Sequence, residues 1–149
     1  MGIRIEARRV RAGALAAAAA LGVLAGTGGA SAAPARDATA SAARIKVVLT
    51  EWKLVPSVVR VSPGRTTFVV RNMGKIPHEL VVLRSGRHHH LLPMTGGQAS
   101  ETGLAGEIEE FRPGETRRLT LTLAPGRYVL LCNLPGHYRA GQYAALRVG

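Results

Sequence analysis

Cysteine is nearly absent from this chain: its 149 residues include one, Cys132. A single cysteine excludes an internal disulfide, and it excludes a c-type haem attachment, which needs Cys-x-x-Cys-His. Aromatic residues make up 4% of the chain, and 9 Asp and Glu stand against 20 Lys and Arg. A net charge of +11 raises the question of nucleic-acid binding. The basic residues are scattered and not interleaved with aromatics, so we expect no nucleic-acid partner.

The chain also lacks a long hydrophobic run. The apolar stretch Ala12–Gly26 has 15 residues, short of the roughly 20 that a spanning helix needs. Four arginines precede it and Ala30-Ser31-Ala32 follows it, a pattern typical of a removed signal peptide. We therefore predict a signal peptide over 1–32, a flexible leader over 33–43, and one domain over 44–149. The protein is expected to be exported to the periplasm, the cell envelope or the extracellular space.

Short apolar stretches that alternate with polar residues dominate the remaining sequence. They predict strands near 45–50, 57–61, 66–71, 78–84, 119–123, 127–132 and 142–148. Pro-Gly pairs recur at 63–64, 113–114, 125–126 and 135–136, where turns are needed. We predict an all-β, Greek-key sandwich or flattened barrel of about seven to eight strands. The Gly-rich segment 84–112 is predicted to be a long connection with at most a short helix.

The most informative stretch runs from Cys132 through His137 to Gln142, with four residues between successive members. A free thiol beside an imidazole is either a soft metal site or a nucleophile–base pair. Lone thiols are unusual in exported proteins, and Cys132 ends an apolar strand, so a metal is favoured over catalysis. His78 begins an upstream strand after Pro77 and is the best candidate for a third ligand. Two imidazoles and a thiolate form the arrangement of blue copper sites, although zinc also binds such a set.

These residues carry a resemblance to a known family. The chain is similar to the cupredoxins, the plastocyanin- and azurin-like small blue copper proteins. The similar stretches are Pro77-His78-Glu79-Leu80, Gly106-Glu107-Ile108, Pro113-Gly114-Glu115-Thr116, Pro125-Gly126-Arg127-Tyr128 and the run from Cys132 to Gly141. The resemblance covers about 45–148. It implies one type 1 copper held equatorially by His78, Cys132 and His137, and single-electron transfer without an enzymatic reaction.

Gln142 departs from the usual family pattern, which places Met at this position. Stellacyanin-like members use an axial Gln, so the resemblance allows Gln142 as the fourth ligand. An amide oxygen is a harder donor than a thioether, and it should stabilise Cu(II) and lower the reduction potential.

Two further features leave an alternative open. His88-His89-His90 is expected to be a solvated loop, but it could bind a second metal, and the protein would then be a copper carrier or storage protein for another envelope protein. Glu79 could orient the ligand loop by a hydrogen bond or be a plain exposed strand carboxylate, and Trp52 is expected to be core or edge packing.

The expected partner is a redox protein with an acidic docking face, because the chain is basic. We also predict peripheral contact with an anionic envelope surface and a monomeric state.

Overall fold

The computed structural model describes residues 42–149, so the predicted signal peptide and nearly all of the predicted leader lie outside the described residues. The described residues form eleven strands: β1 (Ala43–Thr50), β2 (Lys53–Pro56), β3 (Arg60–Val61), β4 (Gly64–Asn72), β5 (His78–Arg84), β6 (Met94–Thr95), β7 (Gln98–Ala99), β8 (Leu104–Phe111), β9 (Thr116–Leu123), β10 (Gly126–Leu131) and β11 (Tyr143–Val148).

Two sheets carry the architecture. One has the order β2-β1-β4-β9, the other has the order β3-β11-β10-β5-β8, and β6 and β7 form a small separate hairpin. Both large sheets are mixed, because β1 runs parallel to β4 and β3 runs parallel to β11. The sheets do not close into a barrel, and the predicted all-β sandwich is confirmed.

Alternation of side chains explains how the sheets pack. In β1 the side chains of Ile45, Val47 and Leu49 are buried while Lys46 is exposed, so one face turns inward with the period of two expected for a strand. Phe68 of β4 and Leu130 of β10 enter the same core between the sheets.

The five-stranded sheet has a second apolar layer on its outer face. Its central strands β5 and β10 are buried on both sides, as the unbroken apolar run in β10 predicts. Val129 and Leu131 point away from the main core and pack with Leu92, Ala99 and Tyr138, which come from the connections 85–103 and 132–142.

The segment 84–112 differs from its prediction. It contains the β6–β7 hairpin and the eight-residue strand β8, and no helix occurs in residues 42–149. Strand β8 is rich in Glu and lies at the edge of its sheet, where charged residues are common although they have weak strand propensity. That composition conceals the strand in the sequence. None of the described segments is a helix long and apolar enough to cross a membrane.

Candidate metal centre

One end of the sandwich gathers the candidate ligands from two segments, the start of β5 and the connection between β10 and β11. His78 opens β5, Cys132 directly follows β10, and Gln142 directly precedes β11. His137 lies in the turn-rich segment between the last two strands. The backbone N–H of Cys132 donates to the carbonyl of Gln142, and the N–H of Gln142 donates to the carbonyl of His137, so this loop is held closed by its own hydrogen bonds.

The side chains of His78, Cys132 and His137 converge on one point. The Sγ atom of Cys132 lies 3.2 Å from Nδ1 of His137 and 3.9 Å from Nδ1 of His78. All three ligand atoms lie within 4.8 Å of one another, and residues 42–149 contain no other such group of His, Cys, Asp or Glu. Ligands bonded at about 2.0–2.3 Å to one ion at trigonal angles lie roughly 3.5–4 Å apart. The donor set and its spacing fit a single type 1 copper site.

Burial separates the role of His137 from that of its neighbours. His78 and Cys132 are buried to 0% exposure, whereas His137 is half-buried. The imidazole of His137 is therefore the part of the cluster that approaches the protein surface.

Gln142 is fully buried beside this cluster. Its Nε2 donates to the carbonyl oxygen of Thr50 at 2.9 Å and lies 3.1 Å from Nδ1 of His78, while its Oε1 has no hydrogen-bond partner. Unsatisfied buried polar atoms are rare and often mark a functional site. Gln142 therefore lies next to the cluster, with its Nε2 atom against Nδ1 of His78 and its Oε1 atom unpartnered, at the position where the sequence predicts an additional donor.

Burial also sets the chemical state of the metal-free cluster. Desolvation raises the pKa of the Cys132 thiol to about 11, so this thiol is a poor nucleophile at neutral pH. Desolvation, and next the proximity of His137, lower the pKa of His78, which favours the neutral imidazole that binds metals. The nucleophile–base interpretation of the Cys–His pair therefore loses support.

Glu79 joins the two ligand-bearing segments. Its backbone N–H points at Sγ of Cys132 at 3.4 Å, and its Oε1 accepts a 2.7 Å hydrogen bond from the backbone N–H of Asn133. The side chain of Asn133 exchanges hydrogen bonds with the backbone of Ala99. The predicted hydrogen bond from Glu79 to the ligand loop is thus present, and Asn133 extends it to the β6–β7 hairpin.

The turn between β1 and β2 contacts three of the four candidate ligands, which the sequence did not indicate. Thr50 accepts from Gln142, and Oε1 of Glu51 lies 3.9 Å from Nε2 of His78. The indole ring of Trp52 packs edge-on against the imidazole of His137, with ring centroids 5.1 Å apart.

Trp52 is the one non-glycine residue of the described chain with a positive φ, at 63°. Such a value is unusual for a bulky residue, and strain of this kind clusters at functional sites. The usual hairpin signals are Asn-Gly or Asp-Gly, so the dipeptide Glu51-Trp52 does not predict this turn.

The remaining candidate ligands lie elsewhere. His88, His89 and His90 follow β5, and their rings contact one another at tilted or edge-on angles. His89 also contacts Tyr143, and none of the three belongs to the ligand group found in residues 42–149. Met94 packs against the outer apolar layer.

The fold is similar to those of solved cupredoxins. Auracyanin from Roseiflexus castenholzii shares 20% identity over 72% of this chain and 98% of its own, with a TM-score of 0.56. Auracyanin A from Chloroflexus aurantiacus, described as a "blue" copper protein, shares 20% over 71% and 99%, with a TM-score of 0.51. Rusticyanin from Thiobacillus ferrooxidans shares 14% over 73% and 79%, with a TM-score of 0.54.

At these identities the likeness establishes the cupredoxin-like fold. No family model and no curated protein matches the chain in sequence.

Proposed function

We propose that this protein is an exported mononuclear type 1 copper protein that carries single electrons. The observation that carries the proposal is the convergence of two imidazole Nδ1 atoms on a buried thiol, at 3.2 and 3.9 Å. The likeness of the fold to that of a described blue copper protein supports it.

His78, Cys132 and His137 would hold the copper, with Gln142 as a fourth donor, and the ion would supply a one-electron couple between Cu(I) and Cu(II). Because the surrounding loops are tied by hydrogen bonds in the metal-free chain, the ligands need little rearrangement when the metal changes its oxidation state.

Electrons would leave and enter through His137, since its imidazole is the ligand group nearest to solvent. Leu134 and Pro135 of the same loop are half-buried and exposed and would form part of the contact with a redox partner. Lys53 at the start of β2 and Lys75 and Arg139 in loops are exposed around this end. They support the prediction of a partner with an acidic docking face.

The test is the spectrum of the copper-loaded protein. We expect one bound copper, an intense visible band and a narrow EPR hyperfine pattern for Cu(II), and a reversible one-electron wave. Cys132→Ser should abolish the visible band, whereas His90→Asn, which removes an imidazole outside the cluster, should leave it unchanged. A visible band that survives Cys132→Ser would refute the site.

The carrier or storage function stays a prediction for the His88–His90 segment. Stoichiometry separates the two functions: a second copper that is lost in His88→Asn/His90→Asn and passes to an acceptor protein would favour delivery. One copper per chain and no transfer would favour the electron carrier.

A further inference from the structure

Three arginines stand side by side across three neighbouring strands of the five-stranded sheet. Arg127 of β10 lies opposite Arg147 of β11, and Arg147 lies opposite Arg60 of β3. The neighbouring residues Tyr128 and Leu146 point into the core between the sheets. Because side chains alternate along a strand, all three arginines project from the outer face, where they are exposed. We call this row the arginine ladder.

The ladder is electrostatically unfavourable as it stands. Like charges directly opposite each other destabilise a sheet, and none of the three forms a salt bridge within residues 42–149, where Arg117 pairs with Glu115. Arg127 uses its guanidinium for the carbonyl of Gly86, which satisfies a donor without neutralising the charge. An anion bound over the three arginines would therefore lower the electrostatic free energy of this arrangement.

Two shallow depressions flank the ladder and share Arg127 and Arg147. One, of about 550 Å³, is completed by Arg60 and the turn at Pro125. The other, of about 180 Å³, is completed by Arg87, His88 and His89. Two residues of the histidine run that lies outside the metal centre, His88 and His89, thus add polar groups to the same basic face.

The ladder lies at the end of the sandwich remote from the metal centre. Arg127 is the second residue of β10 and Cys132 follows the last one. The two residues are five positions apart, which corresponds to about 16 Å along an extended strand. Electron tunnelling falls steeply with distance, so a protein docked on the ladder would be poorly placed to exchange electrons with His137. This position favours an attachment surface over a redox partner.

The direction of the chain points to the kind of surface. Ala43 pairs with Thr66 near the start of β4, and Gly64 pairs with Leu123, just before the turn that leads to Arg127. The polypeptide therefore enters β1 at the same end as the ladder. The predicted signal peptide over 1–32 precedes this point and directs the chain to a membrane until it is removed.

We propose that the arginine ladder docks on a membrane surface rich in anionic phosphate headgroups and holds the metal end away from it. The arginine ladder would thus be the surface that makes the predicted peripheral contact with an anionic envelope surface, and it would fix the orientation of the protein there. It rests on the proposed exported location and does not require copper. His137 and Trp52 then face the aqueous side, where a soluble redox partner can reach them.

Binding of the metal-free, full-length chain to vesicles tests the site. We compare phosphatidylcholine vesicles with and without 30% phosphatidylglycerol at 0.1 M salt, using Arg60→Gln/Arg127→Gln/Arg147→Gln and the matched control Lys46→Gln/Arg71→Gln/Arg118→Gln. The control residues are exposed on the other sheet and remove the same charge, and all variants keep the same N-terminal segment.

Each arginine at an anionic surface contributes about fivefold in binding, so the ladder variant should lose about 100-fold in its preference for the anionic vesicles. The control should lose much less. Equal losses in the two variants would mean attraction by net charge alone and would overturn the proposal, as would an unchanged preference in the ladder variant.

The orientation has its own probe, because Trp52 is the single tryptophan of the chain and lies at the metal end. In protein bound to anionic vesicles, brominated acyl chains should leave Trp52 fluorescence unquenched, and acrylamide in water should still quench it. Strong quenching by the brominated lipid would place the metal end on the membrane and overturn the proposal. Neither experiment depends on the copper spectrum, so the two proposals fail separately.

Discussion

Replacing Gln142 by Met tests whether its Oε1 atom, which has no hydrogen-bond partner, binds a metal. Burial of an acceptor without a partner costs about 1–3 kcal/mol, and in the metal-free chain the substitution removes this cost. The substitution also removes the hydrogen bond to Thr50, which is worth about 1 kcal/mol. These effects oppose each other in sign. The unfolding free energy of the metal-free protein should therefore change by no more than about 2 kcal/mol, measured by urea titration.

The reduction potential should change much more clearly. If the Oε1 atom of Gln142 is satisfied by Cu(II) and released in Cu(I), the oxidised form gains the same 1–3 kcal/mol that the unpaired oxygen costs. For a one-electron couple about 59 mV corresponds to a tenfold change, or about 1.4 kcal/mol. Gln142→Met should therefore raise the potential by about 40–130 mV in protein-film voltammetry.

The control for this experiment is Gln98→Met, the same substitution at an exposed residue whose amide donates to the carbonyl of Asn133. It should shift the potential by less than about 20 mV, because it leaves the buried cluster untouched. A potential in Gln142→Met that matches the wild type would show that Gln142 is not the axial ligand.

Three further predictions concern the surrounding structure. Trp52→Gly relieves about 1–3 kcal/mol of backbone strain but loses an aromatic contact with His137 worth about 0.5–1.5 kcal/mol, so thermal unfolding should occur within a few degrees of wild type. A drop of more than 10 °C would show that the indole is a core residue. Glu79→Gln keeps an acceptor for Asn133 and removes a carboxylate whose pKa is raised by desolvation and, further, by Glu101, Glu107 and Glu110. Because its pKa is raised, the Glu79 carboxyl destabilises the wild-type folded chain at pH values above the ordinary pKa of 4.5. The unfolding free energy of Glu79→Gln should therefore increase relative to that of wild type as the pH rises from 4 to 8. A difference in unfolding free energy that stays constant over this range would contradict the prediction. Phe68→Ala, at a fully buried position, should cost about 3–5 kcal/mol in urea titration, and a loss below 1 kcal/mol would refute the assigned core.

The fold class was accessible from the sequence because its signals are local. Alternation in β1 and the unbroken apolar run of β10 each reflect the environment of one strand, and His78–Arg84 was predicted with the bounds that the structure gives to β5. Strand β8 was not predicted because Glu107, Glu109 and Glu110, which suit an exposed edge strand, mask the alternation of apolar and polar residues. Edge strands are stabilised by their neighbour more than by their own composition.

The candidate site likewise has one part that could be predicted from the sequence and one part that could not. The spacing of Cys132, His137 and Gln142 is a property of one short loop, so their proximity could be predicted. The structure brings His78 to the same point, whereas its ligation of copper stays a prediction. The contacts of Glu51 and Trp52 could not be predicted, since they depend on how the β1–β2 turn meets the opposite sheet.

The sequence by itself determined the alternation that makes two sheets and the local order of thiol, imidazole and amide around one turn. Only the tertiary structure decided which strands are neighbours. Pairing across strands places Arg60, Arg147 and Arg127 in one row, and it leaves Oε1 of Gln142 without a partner. The physical reason is that strand register is set by packing of the whole core, whereas alternation and turn chemistry are set residue by residue.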